Sequence, residues 1–282
     1  MFFLVPFEYE FFRNGFIAAV LVGALCGFIG VYVVLRRMSY IGHGLSHAIF
    51  GGAVLSYVVN VNFFLGAGLW ALVAAYLIHR ISHRRWVGAD AAIGVVTTSS
   101  FALGVAIVST YRSFTRNIEA ALFGNILGIT PRDLWIVASI SIIVLAALLI
   151  MRRQLLFLTF DPEVASAYGV ETKRTDLLFV FLLAVTVLAS TQILGVTLVA
   201  AAMVIPPVIG RYLTKRFQTL LIVSPLIGMW CSAVGMYLSF YLDISSAATI
   251  VLTAAGLFIV LESAMLLRGQ VSKPSILDKF TD

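Results

Sequence analysis

Two histidines four residues apart, His43 and His47, stand in a chain that is otherwise almost wholly apolar. On a helix, positions i and i+4 share one face, so the stretch from Met38 to Phe50 presents two imidazoles side by side. Paired imidazoles are ligands for zinc, iron and other transition metals. Gly42, Gly44, Ser46, Ala48, Gly51 and Gly52 surround them, and such small residues admit a second helix, or an ion with its hydration shell. Ionisable groups inside membrane spans are costly and mark function. Two imidazoles supply half of a tetrahedral shell. A symmetric dimer brings four histidines to its axis; water or another side chain are the other ways to fill the shell.

The remaining polar residues carry less. His79 and His83 repeat the spacing, but Arg80, Arg84 and Arg85 surround them, and that positive field opposes cation binding. They read as a solvated basic loop. Asp90 reads as a cap of the fourth span. Glu119 and Asp243 fall outside the spans, as caps or partner contacts. Glu262 reads as snorkelling or paired near the interface. Gln192 either satisfies backbone groups freed at a helix break or lines a path. Cys26 and Cys231 lie in apolar runs and read as packing residues. The sequence contains neither G-x-x-x-x-G-K-[ST] nor H-E-x-x-H, so P-loop ATP hydrolysis and an intramembrane zinc protease of that type are not expected.

These side chains must be positioned by a bilayer-spanning scaffold. Of 282 residues, 61% are hydrophobic and only 11% charged, against about 25% charged in soluble domains. The net charge of +6 is accounted for by Lys and Arg flanking cytoplasmic span ends, so no nucleic-acid partner is expected. The first residues lack a basic leader and a small-residue cleavage site, so no removable signal peptide is expected. Residues 1–13 read as an interfacial lead-in on the outer side. Spans are expected at about 16–35, 41–59, 63–78, 91–110 and 132–151, with a short surface helix over 118–127. The 34 uncharged residues from 177 to 210 are too many for one crossing and few for two. Basic residues at both ends require that run to go out and return, with the break near Thr191 and Gln192. Spans at about 218–241 and 246–267 complete an all-α, polytopic fold of nine crossings, or eight if the long run counts once, with the N-terminus outside.

Between the fifth span and the long run, residues 154–176 form a cytoplasmic segment. Asp161 suits an N-cap, Pro162 a first helical turn and Gly169 a C-terminal cap, which predicts a helix of about two turns. A short capped helix on that face is a docking peg. The chain is expected to be a single transmembrane domain over 1–282, with spans in 14–151 and 177–267 and a cytoplasmic tail over 268–282.

Val31-x-Val33-Val34-Leu35-Arg36-Arg37-Met38-Ser39-x-x-Gly42-x-x-Leu45-Ser46-His47-Ala48 resembles the permease subunits of ABC importers for manganese, zinc or iron, the ABC-3 family. The likeness continues through Asp90-x-x-Ile93-Gly94, Leu122-Phe123-Gly124-Asn125-Ile126-Leu127, Asp161-x-Glu163-x-Ala165-x-x-x-Gly169, Gly195-x-x-Leu198-Val199, Ile205-Pro206 and Asp243-Ile244, in order along nearly the whole chain. It implies a type II ABC importer permease in the bacterial-type inner membrane, acting as a homodimer. It implies a separate cytoplasmic ATPase pair, so the chain itself is no enzyme. It also implies an extracytoplasmic metal-binding protein, and a divalent metal as substrate with no resident cofactor. Asp161, Glu163, Ala165 and Gly169 then match a helix that couples to the ATPase, and positions 43 and 47 match the metal-site pair. One departure stands out: the family usually carries aspartate where this chain has His43. A carboxylate suits manganese, whereas imidazole suits zinc, iron and later metals. The alternative from the residues alone is a secondary transporter or channel using the same histidines without ATP.

Overall fold

A computed structural model describes residues 2–59, 61–82, 88–110 and 124–267. Eleven α-helices run through them: α1 (Glu10–Leu35), α2 (Ser39–Val58), α3 (Phe63–Ser82), α4 (Ala89–Thr110), α5 (Pro131–Ile150), α6 (Arg152–Phe160), α7 (Pro162–Ala167), α8 (Thr172–Leu194), α9 (Val199–Leu213), α10 (Phe217–Leu242) and α11 (Ser246–Leu267). Short 3-10 helices cover Phe2–Glu8 and Ile126–Gly128. No strand occurs among the described residues. Seven helices (α1, α3, α4, α5, α8, α10 and α11) are long and apolar enough to cross a membrane. α9 is apolar but has only 15 residues. α2 has 20 residues, and its histidines, serines and glycines make it too polar to join the seven. Counting α2 and α9 as crossings gives nine, and chain alternation then sets the Arg36, Arg80, Arg152 and Arg211 ends on one side, the cytoplasmic one.

Between membrane helices close packing holds what the hydrophobic effect holds in water. α1 lies at the centre: it packs along α10 and α9 and meets α5 and α8. Most of its residues from Val22 to Val33 are buried. At Gly23 a β-carbon would collide with the Gly228 carbonyl of α10, and at Gly30 with the Met203 carbonyl of α9. The second contact follows from composition. Pro207 has no N–H to give to Met203, four residues earlier, and α1 covers that kinked turn.

Three boundaries differ from those the sequence suggested. α1 starts at Glu10 rather than near 16. The lead-in packs on the bundle: Phe12 is fully buried, and Phe7, Phe12 and Phe16 meet Tyr237 of α10 edge to face. The long apolar run breaks at Gly195–Leu198, not at Thr191 and Gln192. Ser190 and Thr191 return their hydroxyls to the carbonyls of Thr186 and Leu188, so they are absorbed into α8. Gly195, at φ 78°, ends the helix in a conformation that glycine tolerates. The freed Gln192 carbonyl accepts the Asn125 N–H at 3.3 Å, so Gln192 serves the break through its backbone. α6 is an element the sequence reading left inside the polar segment; it buries Leu155 and Leu158 and exposes Arg152 and Arg153. Of the expected surface helix over 118–127, residues 118–123 lie outside the described residues.

Candidate metal centre and coupling segment

Helical spacing alone determines that His43 and His47 point the same way; their approach depends on how α2 is held. α2 lies between α3 and α4. A β-carbon at Gly51 would strike the Ser100 carbonyl of α4, and one at Gly44 would press on Ile93 and Thr97. Trp70 of α3 hydrogen-bonds Ser100 at 3.2 Å, so three helices lock around the small-residue face of α2. The neighbouring face, beside α4, carries the histidines, and Phe101 of α4 reaches His47 there. His43 is exposed and His47 partly buried.

The two Nε2 atoms are 3.2 Å apart, and the rings stand at 81° with centroids 4.5 Å apart. With metal–nitrogen bonds of about 2.0–2.1 Å, two ligand nitrogens on a tetrahedral ion are about 3.3 Å apart. The pair therefore has a nitrogen–nitrogen separation close to that of two ligands on one ion. Phe101 of α4 stands edge-on to His47 at 5.0 Å, and Tyr40 lies 6.1 Å from His43. The Nδ1 of His47 is buried with no hydrogen-bond partner. Among the described residues, no cluster of three or more His, Cys, Asp or Glu suits a metal, so the chain brings two such side chains and leaves the open face of α2 for the rest.

The segment from Asp161 to Gly169 folds as its residues specify. The Asp161 carboxylate accepts from the N–H groups of Glu163 and Val164 at 3.1 and 2.9 Å. Pro162 opens the six-residue α7. Gly169, at φ 79°, closes it, and Val170 N–H returns to the Ala165 carbonyl at 3.0 Å. Ala165 is fully buried, while Glu163, Val164, Ser166 and Tyr168 are exposed. α7 is thus a peg fixed by one small residue, and Tyr168 stacks on Phe157 of α6.

His79 does not belong to a solvated loop. It sits in the last turn of α3, and its Nδ1 lies 2.9 Å from Asp176 Oδ2, with both side chains largely covered. The other oxygen of Asp176 pairs with Arg36. Sequence reasoning missed Asp176; its one signal was a lone carboxylate at the threshold of a long uncharged run. His83 and Glu119 lie outside the described residues. Asp90 falls in the first turn of α4 rather than at its cap. Asp243, at φ 55°, closes α10 in the left-handed region. Together with Asn125 and Ser245 it lines an outer hollow. Glu262 lies beside Tyr212 of α9, with one carboxylate oxygen buried and without a hydrogen-bond partner.

Residues 8–265 match the ABC 3 transport family. The chain is 34% identical to the manganese transport system membrane protein MntC of Halalkalibacterium halodurans, over 89% of this chain and 86% of that one. It is 35% identical to a probable iron transport system membrane protein of Haemophilus influenzae, covering 91% of each. Its fold superimposes on a chain of PsaBC from Streptococcus pneumoniae, solved in complex with Fab, with a TM-score of 0.81 at 30% identity, covering 90% of this chain and 91% of that one. The chain belongs to the ABC 3 transport family and is a multi-pass inner-membrane permease of an ABC transporter.

Proposed function

We propose that this permease carries a divalent transition metal (manganese, zinc or iron) into the cytoplasm, with His43 and His47 holding the ion in passage. The observation that carries the reading is the 3.2 Å approach of the two Nε2 atoms on an exposed face of a spanning helix. Relatives named for manganese and iron transport support the substrate class. A separate cytoplasmic ATPase supplies the energy and an extracytoplasmic binding protein delivers the ion; this chain contributes the pathway and hydrolyses nothing. Nucleotide-driven motion enters through α7, with Asp161 and Gly169 fixing its ends, Ala165 seating it, and Glu163 and Tyr168 facing the ATPase. A second copy of the chain brings two more histidines to the open face of α2.

Imidazole in place of the family's usual carboxylate tunes the site toward borderline metals. The test is ATP-dependent uptake of Mn, Zn and Fe into liposomes holding the complete complex, with wild type beside His43→Asp. The wild type is expected to transport only with ATP. The aspartate variant is expected to shift the Mn-to-Zn uptake ratio upward by about tenfold. Uptake by the permease alone, driven by a proton gradient, overturns the reading.

A further inference from the structure

The cytoplasmic ends of three helices meet on one carboxylate. Asp176, in the second turn of α8, accepts from Arg36 at Oδ1 and meets His79 Nδ1 at Oδ2. Arg36 is the residue that follows α1, and His79 belongs to the last turn of α3. The side chains of all three are 12–13% exposed. The Arg36 guanidinium also lies over the Phe179 ring, 4.9 Å from its centroid. Its Nη1 is buried without an acceptor, so the Asp176 bond supplies the directional part of its anchoring. Tyr32, one turn earlier in α1, packs against the same Phe179 ring.

This node stands between the two ends of the proposed mechanism. Upstream, α7 ends at Ala167 and α8 begins at Thr172, so displacement of α7 reaches Asp176 through one short turn. Downstream, only Arg36, Arg37 and Met38 separate α1 from α2. Arg37 holds a left-handed φ of 56°, and Arg37 and Met38 N–H groups return to the Val34 and Val33 carbonyls at 3.1 and 2.9 Å. That tight turn leaves little slack between Arg36 and the start of α2, one turn before His43. α3, held by His79, flanks the other side of α2.

The geometry points to Asp176 as a positioning residue that passes movement of the ATPase-docking helix to the histidine-bearing helix, through Arg36 on one oxygen and His79 on the other. A carboxylate suits this role because a largely buried ion pair is directional, and removing one partner leaves the other charge uncompensated. An apolar contact would slide. The inference rests on the transport reading above and touches no metal ligand.

The experiment uses the complete complex in liposomes, with manganese as the probe. ATP hydrolysis and uptake are measured together, and manganese affinity is measured on the nucleotide-free complex. In Asp176→Asn, ions moved per ATP are expected to fall about fivefold, while affinity stays within about twofold of wild type. Asp176→Glu keeps the charge and is expected to recover most of the ratio. An asparagine variant with the wild-type ratio overturns the inference, as does a ratio that falls only in step with lost affinity, or a glutamate variant equally uncoupled. If the asparagine variant does not assemble, His79→Phe keeps the ring and spares the Arg36 pair. Its ratio is expected to fall about twofold, and an unchanged ratio overturns the proposal. Wild type without ATP-driven uptake defeats the transport reading and this inference together; wild-type uptake with unaltered variants defeats the inference alone.

Discussion

A neutral imidazole binds a metal through a lone pair that protonation removes. On the function proposed above, an ion held between the two Nε2 atoms, 3.2 Å apart, competes with protons for the same lone pairs. Uptake is therefore expected to be full at neutral pH and to fall as the pH drops below about 6; flux through the reconstituted complex between pH 5 and 8 checks it, and a flat profile removes the histidines from the path. His47→Ala deletes the proposed ligand that stands edge-on to Phe101 and is expected to lower manganese or zinc affinity at least about tenfold, read by equilibrium binding to the purified permease. At this scale the sequence was informative where chemistry was local. The i, i+4 spacing of His43 and His47 specified a shared face, and the fold adds their 3.2 Å approach. It was silent where chemistry was long-range: Asp176 meets His79 across 97 positions and Arg36 across 140. The local arginines around His79 pointed instead to a repelled, solvated side chain.

Elements owe their ends to single residues, and that makes them testable one at a time. The Asp161 carboxylate is the N-cap of α7. Asp161→Ala is expected to cost that helix about 1 kcal/mol and to weaken ATPase association without changing metal affinity; co-purification with the ATPase and metal binding separate the two effects. Gly51→Val forces α2 off the Ser100 carbonyl and is expected to cost about 1–3 kcal/mol, seen as a lower Tm in detergent and as weaker metal binding, because the histidine face moves with the helix. The capping residues of α7 were readable because they act locally: Asp161 through its carboxylate on the next N–H groups, Pro162 and Gly169 through their own backbone. The break at Gly195 was not read at its true position. Polar Ser190 and Thr191 resemble a break in composition, yet their hydroxyls bond their own helix. α6 was missed because a nine-residue segment that opens on Arg152, Arg153 and Gln154 resembles a loop until Leu155 and Leu158 find the bundle.

At the scale of the whole molecule, the packing of the described helices leaves the His43 side of α2 open. α2 is buried against α3 and α4 by its glycines, while His43 stays exposed and Tyr40 is 71% exposed. Polar and ionisable groups at such a face are poorly matched to lipid tails. Closed twofold symmetry gives a patch its own copy as partner, and a copy placed against α2 adds two imidazoles to the two present. Four nitrogens complete a tetrahedral shell, so the expected stoichiometry is one tightly held ion per two chains. Titrating the purified permease with zinc, with mass measured by light scattering, reads both numbers at once. One ion per chain, or a monomer that binds as tightly as the dimer, defeats the shared site. Mixed dimers sharpen the test. A wild-type chain paired with a His47→Ala chain retains three of four nitrogens and is expected to bind more weakly than wild type but more tightly than the doubly substituted dimer. Independent sites would instead give two populations, one of wild-type affinity and one as weak as the variant.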